Sequence, residues 1–294
     1  MLAIVIPYYK RAFFEATLRS LAAQTSNLFR IYIGDDNSPE NPEDLIAQYS
    51  AELDISYARF DDNLGSSSLT AQWARCLGLC RDESWVMILG DDDMLSDDCV
   101  AAFYARLETI RRQAIDVVRF ATVIVDETGT PQTKIHTHPE LESSADFVYR
   151  KETGQTRSSL GEYIFRAEKL AQVGFVDFPM AWHADDMAIL QCSGFGNVLS
   201  INESVVLIRV SALSISGSQT NIEAKKKATF AYYSMLAFSY RSRFSAVQRR
   251  KIIGKVEQYF FRHKTAALFF KIARWHANND VFGLFKFIRR TLRN

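Results

Sequence analysis

Cysteine, histidine and proline are scarce in this chain of 294 residues, at four, five and six. Cys76, Cys80, Cys99 and Cys192 form no C-x-x-C pair, and Cys76 and Cys80, one helical turn apart, have no histidine partners nearby. A disulfide scaffold and a zinc module are therefore both excluded, and reduced thiols are expected. His136 and His138 make an H-x-H spacing without a visible third ligand, as loop histidines do. No apolar run is long enough to cross a bilayer. The short stretch from Leu2 to Pro7 before Tyr8-Tyr9-Lys10-Arg11 lacks the layout of a secretory leader, so the expected location is the cytoplasm.

Net charge is also nearly absent, at +1, but the balance hides a division. From Asn221 onward there are 17 Lys+Arg against 3 Asp+Glu, which leaves 18 against 31 in residues 1–220. Such a split points to an anionic partner for the tail, or to the acidic part of the chain itself. No recognition module accompanies the basic residues, which argues against nucleic acid.

What is present is a regular alternation. Ala3–Ile6, Phe29–Ile33, Ile55–Arg59 and Trp85–Leu89 read as short buried strands, and Val117–Val125 as a long one. Helical patterns separate them: Phe13 to Ala22, Glu43–Tyr49, Ser68–Leu79, and a helix capped by Asp97 that runs towards Arg112. This order predicts βαβ units, a mostly parallel sheet and a ligand crevice beyond the carboxyl ends of the strands. Residues 126–157 are polar and pattern-poor and read as a mobile loop or lid. A strand at Val205–Val210 closes the α/β region. Beyond about Ser218 helical spacing dominates, as in Ile252, Val256, Tyr259/Phe260, His263, Ala267 and Phe270. The expected domains are therefore 1–217, α/β and catalytic, and 218–294, basic and helical.

The chemistry concentrates at two acidic turns. Asp91-Asp92-Asp93 follows Gly90 at the end of a buried strand, and Asp35-Asp36-Asn37-Ser38 follows another. Neighbouring carboxylates repel one another and are stabilised by a cation. An oxygen-only ligand set suits Mg²⁺ or Mn²⁺, ions that usually arrive with a phosphorylated substrate. By composition alone each turn is equally a solvated cap or loop.

Several short motifs, in order, resemble family 2 glycosyltransferases, whose catalytic domain has the GT-A fold. They are Ile4-Val5-Ile6-Pro7-Tyr8-Tyr9, Ile33-Gly34-Asp35-Asp36-Asn37-Ser38, Asp62-Asn63-Leu64-Gly65 with Gln72-Trp73-Ala74-Arg75, Leu89-Gly90-Asp91-Asp92-Asp93, and Ala184-Asp185-Asp186-Met187. The resemblance implies a nucleotide pocket lined by Pro7, Tyr9 and Asn63. In it Asp36 (alternatively Asp35) accepts from the base, expected to be uracil, and Asp91 holds the ribose. It also implies a Mn²⁺ or Mg²⁺ ion on Asp92 and Asp93, and added positive charge from Arg75. Asp186 is the implied general base of an inverting reaction, with Asp185 sharing the task or tuning it, and Trp182 and His183 facing the acceptor. Three positions depart from the family pattern: Gly90 where an aspartate is common, Asp185 for glutamate, and Lys10 for asparagine.

The expected function is thus transfer of a sugar from a nucleotide-diphosphate donor (a UDP-sugar) to a glycan or lipid-linked acceptor, in surface polysaccharide assembly. Two rivals stand beside it. A sugar-phosphate nucleotidyltransferase would carry a glycine-rich loop where Pro7–Arg11 stands; the other rival is a catalytically silent nucleotide-sugar-binding scaffold. For the tail, Arg249-Arg250-Lys251 and Lys286, Arg289, Arg290 and Arg293 alternate with apolar residues, as in helices that lie on anionic membranes. Peripheral attachment at the inner membrane face is weighed against self-association into a homo-oligomer and packing on the acidic domain. Phe269, Phe270, Phe282, Phe285 and Phe287 read as core.

Overall fold

A computed structural model describes residues 1–211 and 221–293. The chain divides into two compact units, Met1–Ile222 and Glu223–Asn294. The boundary expected at residue 217 lies outside the described residues.

Among the described residues of the first unit nine strands form one sheet: β1 (Leu2–Tyr8), β2 (Phe29–Asp35), β3 (Ile55–Arg59), β4 (Trp85–Ile88), β5 (Met94–Leu95), β6 (Val117–Val125), β7 (Leu141–Ser143), β8 (Tyr163–Arg166) and β9 (Asn197–Arg209). Their order is β3-β2-β1-β4-β8-β6-β9-β5, with β7 also on β9. β1, β2, β3 and β4 run parallel, as do β6 and β9. β8 enters antiparallel between β4 and β6, within a sheet that is mainly parallel, as the alternation of elements predicts. The strands of the parallel half are apolar on both faces because helices cover both; Ile4, Ile6, Ile31, Ile33 and Met87 are buried in one core.

The sheet is curled, and the acidic turn shows why. β4 and β5 are joined by the five residues 89–93 yet stand four places apart in strand order. A flat sheet would separate them by about 19 Å. The link is moreover folded into a turn, with Asp93 N–H donating to Gly90 C=O at 3.3 Å. Only a sheet that bends back on itself brings β9 and β5 over to the end of β4.

Among the described residues of this unit, eight α-helices accompany the sheet: α1 (Phe14–Ala22), α2 (Glu43–Tyr49), α3 (Leu69–Leu77), α4 (Cys99–Ala105), α5 (Leu107–Arg112), α6 (Ser144–Glu152), α7 (Ala167–Val173) and α8 (Ala184–Cys192). Two differences from the sequence reading matter. The single helix expected from Asp97 to Arg112 starts after Asp98 and breaks at Arg106 into α4 and α5. Residues 126–157, expected as a loop or lid, contain β7 and α6. They are tied to β6 by the bridges Thr122↔His136 and Val125↔Pro131. Ala145, Phe147 and Val148 bury the inner side of α6, and Arg119 and Arg150 both pair with Glu142 at its entry.

The second unit consists of α9 (Ile222–Phe238), α10 (Ala246–His263), α11 (Ala266–Asn279) and α12 (Val281–Arg293). Ile252, Val256 and Phe260 are buried as the spacing predicts, but the helix ends at His263 and α11 begins with Thr265 as its cap. Of the phenylalanines read as core, Phe287 is buried; Phe270, Phe282 and Phe285 are exposed.

Candidate active site

The parallel register places Pro7 beside Gly34 and Tyr8 beside Asp35, and Asp36 N–H donates to Tyr8 C=O at 3.0 Å. Leu89 N–H donates to Val5 C=O, so the second acidic turn leaves the sheet at the same edge. The two turns, 55 residues apart, therefore meet at one cleft of about 550 Å³. Its walls include Pro7, Tyr9, Asp36, Asn63, Asp91, Asp92 and Asp93, all expected from the sequence.

Each carboxylate has a distinct setting. Asp91 Oδ2 accepts from the backbone N–H groups of Tyr9 (2.8 Å) and Lys10 (2.7 Å), fixing the loop after β1. Burial, then the charge of Asp92, pushes its carboxyl up to about 6. Asp93 Oδ1 accepts from Arg209 N–H at 2.9 Å, and burial followed by Asp92 raises its carboxyl well above the usual range. Burial raises Asp92 as well, against the nearby charges of Lys10 and Arg209. Three acids pushed upward together mark a place where negative charge is under-compensated and a cation would be stabilising.

Gly90 permits a close approach. A Cβ at this position would lie 2.8 Å from Asp92 Oδ1 and 3.0 Å from Asp93 Oδ2. Two carboxylates thus pack against the bare Cα of Gly90, and any side chain there would push them aside. Among the described residues no three His, Cys, Asp or Glu side chains are placed to hold an ion unaided. Two carboxylates completed by phosphate oxygens and water are the kind of set that Mg²⁺ accepts.

Asp36 lines the cleft but is also heavily engaged. Its oxygens accept from Leu64 N–H (2.8 Å), Gly65 N–H (2.9 Å) and Arg75 Nη2 (2.7 Å), which holds the Asn63–Ser66 loop as one wall. A Cβ on residue 65 would sit 2.5 Å from Asp36 Oδ2, so only glycine permits this approach. One of about four lone-pair directions of Asp36 remains for a ligand.

Two expected contacts lie elsewhere. Asp35 is fully buried and outside the cleft, its oxygens accepting from Ser38 N–H, Tyr57 Oη and Arg59 Nη1. Arg75 adds no charge to the cleft lining. It clamps Asp36 and Asp62, donates from Nε to Gln72 Oε1, and stacks over Phe60 at 4.0 Å. Two nearby carboxylates outcompete a distant phosphate for a guanidinium.

Asp185 and Asp186 open α8, and neither lines the cleft; nor do Trp182 and His183. Asp186 is 1% exposed. Its Oδ1 is 2.5 Å from Lys151 Nζ and its Oδ2 2.7 Å from His183 Nδ1, with His183 in the left-handed region at φ 72°. Burial alone would raise the Asp186 carboxyl; Lys151 and His183 outweigh it and hold the group below the usual carboxylate range. Asp185 is partly exposed, and burial together with Asp186 raises it. The choice of Asp186 as base therefore meets a group whose oxygens are both occupied and whose proton affinity is low. Glu162, next to the cleft-lining Gly161, belongs to the same network: burial pushes it up to about 7 against Arg157 and Arg119.

Sequence reasoning missed several lining residues: Lys10, Trp73, Ser159, Leu160, Gly161 and Arg209. Trp73 was visible only as part of a motif; its ring packs edge-on against Phe175 at 5.1 Å. Arg209 is nine-tenths buried or more and reaches the carbonyls of Asp92, Asp126 and Glu127. Its position at the end of β9 was the only signal available.

Residues 3–173 match the family described as Glycosyl transferase family 2. Among curated proteins none matches the chain in sequence. Among solved structures, Staphylococcus aureus TarS 1–349 in complex with UDP-GlcNAc is similar with a TM-score of 0.62 at 15% identity, over 98% of this chain and 80% of that one. The same protein in complex with UDP gives 0.60 at 15% identity, over 89% and 71%. TarS itself gives 0.57 at 15% identity; 96% of this chain is matched, but only 54% of TarS. At such identity the likeness is one of fold. The matched span carries the acidic edge of the parallel strands and stops short of Asp185 and Asp186. On that span the chain belongs to glycosyl transferase family 2, as a glycosyltransferase with the GT-A fold.

Proposed function

We propose that the chain transfers a sugar from a uridine-diphosphate donor, with a divalent cation, to a hydroxyl of a glycan or lipid-linked acceptor. The observation that carries this reading is the convergence of Asp36 with Asp91, Asp92 and Asp93 on one cleft at the carboxyl edge of β1, β2 and β4. The TarS complexes with UDP and UDP-GlcNAc support a uridine donor.

In this reading Pro7, Tyr9 and Asn63 flank the base, which donates to the remaining lone pair of Asp36. Asp91 is already bound to the backbone of Tyr9 and Lys10 through Oδ2, which leaves Oδ1 for the ribose hydroxyls. Asp92 and Asp93 would hold Mn²⁺ or Mg²⁺, which when bound would offset the charge that develops on the departing diphosphate. The acceptor oxygen attacks the anomeric carbon from the side opposite the leaving group. The bond to the β-phosphate breaks with its electron pair, UDP departs, and the acceptor proton passes to a carboxylate. Asp185 suits that step, because it is partly exposed and burial together with Asp186 raises its proton affinity despite the charges of Lys151 and His183. Asp186 then serves to position the start of α8.

One observation favours the silent-scaffold alternative: both oxygens of Asp186 are already engaged. Thermal melting with a panel of nucleoside diphosphates, with and without Mn²⁺, tests donor binding; UDP with metal is expected to give the largest stabilisation. Donor hydrolysis or transfer assays then compare Asp185→Asn with Asp186→Asn. Loss of turnover in Asp185→Asn with retained UDP binding supports the reading. No nucleotide effect on melting in the presence of metal would overturn it.

A further inference from the structure

α12 is built from Val281-Phe282-Gly283-Leu284-Phe285-Lys286-Phe287-Ile288-Arg289-Arg290-Thr291-Leu292-Arg293, without one acidic residue. Its inward side is fixed by Phe287, which is buried against Phe260 (5.4 Å), Phe269 (5.5 Å) and His276 (5.9 Å). At 100° per residue, Phe285 points nearly opposite to Phe287, and Val281 and Leu292 share its line. These outward residues are among the most exposed apolar side chains of the chain: Phe285 is 68% exposed and Leu292 83%. Beside this line runs a second one, Phe282, Lys286, Arg289 and Arg293, in which the ring of Phe282 is 75% exposed and lies 5.4 Å from Lys286 Nζ.

We propose that this outward strip of α12 docks on an anionic lipid surface. Phe282, Phe285 and Leu292 enter the boundary between headgroups and acyl chains, and Lys286, Arg289 and Arg293 stay at the level of the lipid phosphates. Two bulky rings projecting from a convex helix find no burial against a flat polar surface, yet fit the headgroup boundary, which takes an apolar helix side some 5–10 Å deep. Each basic residue near such a surface adds roughly 1 kcal/mol of attraction. A second copy of the chain is a poorer occupant. Two-fold pairing through the strip would bring the same cations of both helices together, and α12 has no carboxylate to separate them. The proposal is independent of the sugar-transfer chemistry, since it uses no residue of the cleft.

The test uses the full chain with vesicles of phosphatidylcholine alone, or with about a third phosphatidylglycerol. Binding to the anionic vesicles is expected to weaken at least roughly tenfold in Phe282→Ser/Phe285→Ser/Leu292→Ser. The melting temperature should stay at the wild-type value, because these side chains are exposed. A Phe285→Trp variant should show a blue-shifted emission on anionic vesicles only. Unchanged vesicle binding by the triple variant would overturn the proposal, as would no binding by the wild type. So would a concentration-dependent dimer that the same substitutions abolish, because a second copy would then be the occupant.

Discussion

Lys151 Nζ and Asp186 Oδ1 face each other at 2.5 Å, joining α6 to the first turn of α8 across 35 residues of sequence. Asp186 is buried, where an unpaired charge is costly, and the Lys151 side chain reaches it from a half-buried position. Burial alone would lower the Lys151 ammonium, but Asp186 keeps it raised. Lys151→Met leaves Asp186 with His183 alone and should lower stability by about 3 kcal/mol or more at neutral pH. Because the folded-state Asp186 proton affinity is depressed, its stabilisation is present above the unfolded carboxylate range and lost in acid. Denaturant melts of wild type and variant should therefore converge as pH falls.

Gly90→Ala tests the close approach of the Asp92 and Asp93 carboxylates to residue 90. The clashing atoms are ends of side chains, so the protein should fold and melt within a few degrees of wild type. Stabilisation by UDP with Mn²⁺ should fall by about tenfold in apparent affinity or more, since the two carboxylates must splay apart. Calorimetric titration with nucleotide and metal measures it; unaltered affinity would count against a cation at this spot.

Arg75→Lys tests whether the guanidinium acts as a clamp or as a charge. Lysine keeps the charge but cannot hold Asp36, Asp62 and Gln72 together in one plane. A loss of about 1–3 kcal/mol in unfolding free energy is expected, with weaker nucleotide binding through the loosened Asn63–Ser66 loop. Equal stability would mean that charge alone suffices.

Glu162 gives a pH signature. Its carboxyl rises from an ordinary value near 4.5 to about 7 because it is buried. A raised carboxyl binds protons better in the folded state, so this group's contribution to stability declines as pH climbs from about 4.5 to about 7 and is constant above. Relative to wild type, Glu162→Gln should gain stability across that window, by roughly 3 kcal/mol between its ends. Chemical denaturation at a series of pH values reads the difference directly, and a flat difference would refute the shift.

The parts of the site legible in the sequence are those set by local pattern. Ile4–Ile6 and Phe29–Ile33 announce buried strands, and an acidic turn directly after a strand of a parallel sheet falls at its carboxyl edge whatever else the chain does. Partners supplied from afar were not legible. Arg75 reads as added positive charge for the nucleotide, and only the folded chain brings Asp36 to it from 39 residues earlier. Lys151 lies in a stretch without clear periodicity, because the only apolar residues that α6 buries are Ala145, Phe147 and Val148, among polar neighbours. In α12 both sides carry phenylalanine, so spacing cannot say that Phe287 turns inward while Phe282 and Phe285 turn out.

The short link from β4 to β5 ties together strands that the order of the sheet holds apart, and Asp93 extends the tie to β9 through Arg209 N–H. An ion seated on Asp92 and Asp93 would act as a clasp on that bend. Loading the donor would then stiffen that bend, and an empty enzyme would be the looser there.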